Sequence, residues 1–197
     1  MSTASPMTRG APQGSGRPRV LVVYASRAGS TKGIAEFICE KLRRHGADAS
    51  VSDVGQVGEI GDYDAFVIGS AVYMYHWLKE AREFISRNRP TLSTKPVWIF
   101  SSGPTGTKPT DSKGRDLREV DKPQELDELR GWINPRDHHM FFGAFFPDRL
   151  KGTMGFFAKM APKDQVGDFR NWPEIEAWAA GIAQDLVPQG REGSAPT

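Results

Sequence analysis

The sequence predicts an α/β layer fold built on a parallel sheet. Three observations carry that prediction. Short apolar runs such as "RVLVVYA" and "AFVIGS" show little polar alternation, which marks strands buried on both faces. Segments with helical spacing alternate with these runs. The three clearest strands end directly in small and hydroxyl residues, and in open α/β sheets ligands bind outside the carboxyl ends of strands.

The elements follow in order. Arg19 to Ala25 is the first strand. From Ser30, Ile34, Phe37, Ile38 and Leu42 fall at helical spacing, and Gly46 supplies a stop. Ala47 to Ser52 reads as a weaker strand, and a crossover through Asp53 to Tyr63 leads to a third strand, Ala65 to Ser70. A helix is expected from Leu78 to Asn88, with Pro90 beyond it, and a fourth strand from Val97 to Phe100. The polar stretch 105–137 should carry one helix, Pro123 to Trp132, because Leu126, Leu129 and Ile133 share a face. "HHMFFGAFF" reads as the fifth strand and "KGTMGFFAKMAP" as an apolar stretch with helical character. In the last helix Asn171 caps, Pro173 sits in the first turn and Glu174 completes the pattern of a capping box. Ile175, Trp178, Ala179, Ile182, Ala183 and Leu186 form its apolar face.

Composition sets outer bounds. The 197 residues suit one sizeable core, with 38% hydrophobic and 25% charged residues. Residues 1–16 and 188–197 are Ser, Pro, Gly and Ala rich and are expected to be disordered, leaving 17–187 as the folded domain. Cys39 stands alone, so an intrachain disulfide is excluded and a cytoplasmic setting is expected. No apolar run approaches the roughly 20 residues of a bilayer span. A net charge of +2 is too small to argue a nucleic-acid partner.

The stretch "SRAGST", Ser26 to Thr31, lies between the first strand and its helix. A helix N-terminus offers unpaired N–H groups and a partial positive charge, so it suits phosphate. Ser26, Ser30 and Thr31 add hydroxyls, and Gly29 permits close backbone approach. The loop fits neither G-x-x-x-x-G-K-[ST] nor G-x-G-x-x-G. Its hydroxyls and few glycines suit one terminal phosphate, the alternative being a capped turn with no ligand. Two further strand ends join it. "GSAVYMYHW" carries Tyr73, Tyr75, His76 and Trp77, which can flank a flat ring, and "SSGPTG" can present backbone N–H groups to ring carbonyls. Together the three loops suit a mononucleotide with a planar head.

These residues resemble the flavodoxin-like family, a three-layer sandwich with a five-stranded parallel sheet of order 2-1-3-4-5. The likeness rests on Ser26, Gly29 and Thr31, on "GSAVYMYHW" and on "SSGPTG", and covers nearly all of Arg19 to Leu186. Within the family, "SRAGST", "FFGAFFPDRL", "GTMGFFAKM" and "GDFRNWPEIEAWAAGIA" look like the branch that includes menaquinone-dependent protoporphyrinogen oxidase. The resemblance implies FMN as cofactor. It implies phosphate contacts from Ser26, Arg27, Ala28, Gly29, Ser30 and Thr31. Ser70, Ala71, Val72 and Tyr73 would then line one side of the ring, with Ser101, Ser102, Gly103 and Gly106 by the other.

The expected activity is FMN-dependent oxidation of a small molecule, a porphyrinogen by resemblance, with a quinone as electron acceptor. The alternatives are a soluble flavodoxin electron carrier, an NAD(P)H:quinone reductase and a flavin-free interaction protein. "SSGPTG" lacks the aromatic residue usual in carrier flavodoxins, and a chain of net charge +2 is slightly basic where a carrier that docks on basic partners is expected to be strongly acidic. His76 is the one candidate proton mover, its alternative role being structural. Lys108, Lys113, Arg115 and Arg118 can receive propionates, the alternative being a solvated polar loop. Arg149, Lys151 and Lys159 flank Met154, Phe156, Phe157 and Met160, an apolar face with basic edges suited either to the surface of an anionic membrane or to packing as a helix against the sheet.

Overall fold

A computed structural model describes residues 16–149 and 160–186. The expectations for the two tails, and for the apolar stretch over 150–159 with its membrane-facing residues, fall largely outside those residues. Six strands build the main sheet: β1 (Arg19–Ala25), β2 (Asp48–Asp53), β3 (Ala65–Tyr73), β4 (His76–Trp77), β5 (Val97–Ser102) and β6 (Asp137–Phe141). Five are parallel in the order β2-β1-β3-β5-β6, the expected 2-1-3-4-5 once the two-residue β4 is set aside. β4 folds back antiparallel on β3, pairing Val72 with Trp77 and Tyr73 with His76.

The lack of polar alternation in β1 follows from its two buried faces. Val20 and Val22 pack under α1 (Ser30–Arg44) and the last helix, while Leu21 and Val23 face α2 (Lys79–Leu92) and the helix at Leu126–Ile133. The helices of the long polar stretch are α3 (Leu117–Val120) and α4 (Leu126–Ile133), and the last helix is α5 (Trp172–Leu186). Buried Lys41 joins α1 to α5 through Glu176 at 2.6 Å.

Several elements differ from the sequence reading for physical reasons. β3 does not stop at Gly69-Ser70. Gly69 lies opposite Phe100, whose ring takes the space a Cβ would need, and Ser70 Oγ accepts from the Leu78 N–H at 3.0 Å. The strand therefore continues to Tyr73. α2 runs through Pro90, which is exposed in the last turn, and so carries Leu92 into the core. The crossover from β2 to β3 has no helix and is anchored by buried Val54 and Ile60. α3 was not anticipated, and α4 begins at Leu126 rather than Pro123. "HHMFFGAFF" breaks after Phe141, because Gly143 N–H turns to the Pro104 carbonyl at 2.9 Å. Its end, β7 (Ala144–Phe145), pairs with β8 (Gly167–Asp168). At α5 Asn171 accepts the Glu174 N–H at 3.3 Å. The Glu174 side chain does not return the bond. It holds Arg118 at 3.1 Å and His139 at 2.9 Å, so half the expected capping box is spent on bracing α3 and β6.

Among the described residues no helix is long and apolar enough to cross a membrane.

Candidate functional site

Three loops converge at the carboxyl edge of the sheet, after β1, β3 and β5. They enclose an open cleft lined by polar and apolar groups alike. Ser26, Ala28, Ser30 and Thr31 line one end. Ala71, Val72 and Tyr73 line another wall, and Ser102 and Gly103 a third.

The first end is a helix N-terminus. Gly29 adopts φ 85°, a left-handed conformation that costs glycine nothing, and its N–H donates to Ser26 Oγ at 3.1 Å. The first helical bond runs from Gly33 N–H to the Gly29 carbonyl at 3.1 Å. The amides of Ser30, Thr31 and Lys32 come before it, so they are the open donors of the helix end. Thr31 is fully buried, and its Oγ1 has no hydrogen-bond partner among the described residues. A buried hydroxyl left so costs roughly 1–3 kcal/mol. An acceptor-rich group seated at this end would satisfy hydroxyl and amides together.

Ser30 also ties the loops to one another. Its Oγ accepts from the Ala144 N–H at 2.8 Å and lies 3.3 Å from Ser102 Oγ. Gly143 closes over this pair, where a Cβ would stand 3.2 Å from Ser102 Oγ and 3.4 Å from Ser30 Oγ. A backbone with no side chain at this point is needed to bring the third loop close. The residues present therefore fit a phosphate monoester at one end and a flat ring between the loops.

Other residues singled out from the sequence stand elsewhere. Arg27 lines a small neighbouring pocket with Asp53 and Glu80, its guanidinium 5.8 Å from the Tyr73 ring centre. Ser70 is buried beneath the loop, and Gly106 lies in an adjacent groove with Phe142 and Phe169. Ser101 is fully buried, taking the Trp77 Nε1–H at 2.8 Å and standing 2.9 Å from His138 Nε2. His138 is held neutral, its pKa pushed down to about 4 by burial first and then by the charge of Arg130.

His76 does not line the cleft. Its Nδ1 donates to Glu125 Oε1 at 2.7 Å. Glu125 is buried, accepts the Trp77 N–H at 3.3 Å and pairs with Arg82 at 3.2 Å. Burial alone would raise its pKa. The His76 bond, the backbone N–H bonds and the Arg82 charge outweigh that and hold the carboxyl below the usual range. In the polar stretch Arg115 is paired with Asp111, and Arg118 with Asp116 and Glu174. Lys108 and Lys113 are exposed.

The sequence reading missed Met74, Thr105, Gly143, Ala144 and Phe145, all of which line the cleft. The signal for the last three was Gly143 itself, a glycine inside an apparent strand, which often marks a bend or a close backbone approach.

A family model described as a flavodoxin domain matches residues 21–165. Among curated proteins, the protoporphyrinogen IX dehydrogenase [quinone] of Escherichia coli strain K12 is 27% identical over 93 residues. Those residues are 46% of this chain and 51% of the relative, so the chain spans about half the length of that relative. A flavodoxin from the domain Archaea superposes with a TM-score of 0.56 at 17% identity, over 85% of this chain and 98% of that one. The rubredoxin oxygen:oxidoreductase of Desulfovibrio gigas superposes with a TM-score of 0.55 at 17% identity, over 86% of this chain and 37% of that one. At such identities the two structures bear on the fold alone.

Proposed function

The chain belongs to the flavodoxin-domain family, and on that premise we propose that it binds FMN in the three-loop cleft and works as an oxidoreductase, passing electrons from a reduced organic substrate to a quinone. Partial similarity to protoporphyrinogen IX dehydrogenase [quinone] supports a porphyrinogen as substrate and a quinone as acceptor, menaquinone being the quinone that the sequence resemblance implies. The observation that carries the FMN reading is Thr31 Oγ1, buried and without a partner among the described residues, beside the open amides of α1.

Bound FMN supplies an electron acceptor that takes up and releases electrons in single or paired steps. The chain's residues do the rest. Thr31 Oγ1, Ser26 and the first-turn amides of α1 hold the phosphate. Val72 and Tyr73 on one side, and Ser102 and Gly103 on the other, orient the ring and exclude water. Ser30 keeps the first and third loops together. The Tyr73 hydroxyl stays protonated, burial raising its pKa more than Arg27 lowers it.

An FMN titration followed by quenching of flavin fluorescence tests this. Saturable one-to-one binding, tighter for FMN than for riboflavin, is expected. Ser30→Glu places a carboxylate at the N-terminus of α1, beside the phosphate seat, and breaks the tie to Ala144, and should weaken FMN by about 100-fold, roughly 3 kcal/mol. No FMN binding by the native chain, or unchanged affinity in this variant, defeats the reading. Turnover of NAD(P)H with menaquinone would favour the reductase alternative. Flotation with anionic vesicles tests the membrane expectation for the apolar stretch, most of which lies outside the described residues, and no association would remove it.

A further inference from the structure

A second cleft opens beside the first and shares Val72, Met74 and Gly103 with it. Tyr75 and Asp121 complete its lining. Its apolar wall is the tip of the β3–β4 hairpin, where Met74 is 88% and Tyr75 47% exposed. Both take left-handed backbone conformations, φ 49° and 67°, at roughly 1–2 kcal/mol each for residues that carry a Cβ.

Such strain persists where the surroundings over-determine it. Here Gln124 N–H donates to the Tyr75 carbonyl at 2.9 Å, and Glu125 holds His76 and the Trp77 amide. An exposed apolar pair is thus fixed by ties from the start of α4 and not by its own turn propensity. Two-residue hairpins of this kind normally use Asn-Gly or Asp-Gly.

Asp121 lines the same cleft. It forms no side-chain hydrogen bond or ion pair among the described residues, and burial is the one cause that shifts it, lifting its pKa above the ordinary value. Charged groups nearby are engaged elsewhere. Lys122 pairs with Glu119, while Arg82 and His76 are held by Glu125. Tyr75 is the other titratable residue of the lining. The hydrogen-bonding capacity of Asp121 is therefore open to a ligand.

We propose, resting on the FMN reading above, that this second cleft is the subsite of the reducing substrate, an apolar ring compound bearing an N–H or O–H donor, and that Asp121 accepts that proton. Removing two electrons from such a compound also removes two protons. FMN, as the oxidant, would take the electrons and one proton. The other leaves the breaking N–H or O–H bond for an Asp121 carboxylate oxygen, and passes on to water. Tyr75 and Met74 pack against the ring.

Mesoporphyrin IX, an oxidised tetrapyrrole with inner N–H groups, is the probe. It is titrated into FMN-loaded protein and followed by its visible absorbance, after FMN binding has been measured separately. Failure of the first titration sinks the FMN reading. Failure of the second alone overturns only the subsite. The native chain should bind one equivalent, and Tyr75→Ala should weaken mesoporphyrin about tenfold with FMN affinity unchanged. With protoporphyrinogen as reductant, kcat/KM should fall as pH drops through the Asp121 pKa. Asp121→Asn should remove that limb and lower the rate above it by about 100-fold or more. It should leave FMN affinity in place, and Asp121→Glu should restore part of the limb. An Asp121→Asn profile superimposable on the native one overturns the proton role, and equal mesoporphyrin affinity in Tyr75→Ala overturns the subsite.

Discussion

The two ends of the cleft are built by different means. The phosphate end is local: one strand, one glycine in a left-handed turn and one helix start place Ser26, Ser30 and Thr31 within six residues of chain. The ring end is assembled over long range. Its hairpin adopts an unfavourable turn and is held by Glu125, some 50 residues on, while Trp77 below it is tied through Ser101 to His138. Backbone geometry suffices for a phosphate, whose recognition needs N–H groups. A ring needs walls at a fixed spacing, and these come from side chains braced by distant elements.

If the ring end depends on those braces, their titration should be felt in folding. The largest expected effect is at His138. In the fold its pKa lies near 4, below the ordinary 6.5, so the neutral ring is preferred. The sign follows from linkage. Below pH 6.5 the unfolded chain binds a proton that the folded chain refuses. The stability from this group is thus complete above pH 6.5 and is lost as pH falls toward 4, by an amount on the order of 3 kcal/mol. Denaturant melts of the native chain and of His138→Gln across that range measure it. The native curve should fall more steeply by that amount, and parallel curves would show that the tie to Ser101 does not depend on charge.

Much of this contrast was readable in the sequence, and the unreadable part has a physical cause. "RVLVVYA" announced a doubly buried strand, and the shift to helical period at Ser30 announced the helix start, because both signals are local. The face of α4 was legible from Leu126, Leu129 and Ile133, all of which are buried. By contrast, "VYMYHW" contains no Asn or Gly to announce a two-residue hairpin, so β4 and the extension of β3 to Tyr73 were invisible. Glu125 looked like one acid in a polar stretch, and its role exists only once α4 packs beside the hairpin. Gly69 looked like a strand end because the ring of Phe100, which requires it, lies 31 residues away in the chain.

Glu125→Ala tests the brace directly. It removes the partner of His76, of the Trp77 amide and of Arg82 at once. Breaking a fully buried pair costs about 3–5 kcal/mol, but Arg82 and His76 are 38% and 50% exposed, so a loss of about 2 kcal/mol is expected. The more telling readout is ligand choice. A loosened hairpin should weaken FMN and riboflavin by the same factor, since both carry the ring. Loss of FMN affinity alone would place the effect of Glu125 at the phosphate and dissolve the contrast between the two ends.

The smallest effect is the most diagnostic, because its two parts have opposite signs. Thr31→Val keeps the shape of the side chain and removes the buried hydroxyl that has no partner among the described residues. Without ligand, the native chain bears the cost of that stranded oxygen, so the variant should be more stable by about 1 kcal/mol. With FMN, the native hydroxyl gains the phosphate as its partner, and the variant should bind about tenfold more weakly. Riboflavin, which has no phosphate, should bind both chains equally. A variant that loses stability in the free state would mean that Thr31 Oγ1 already has a partner there. The phosphate end would then be complete without its ligand, as the capped-turn alternative requires.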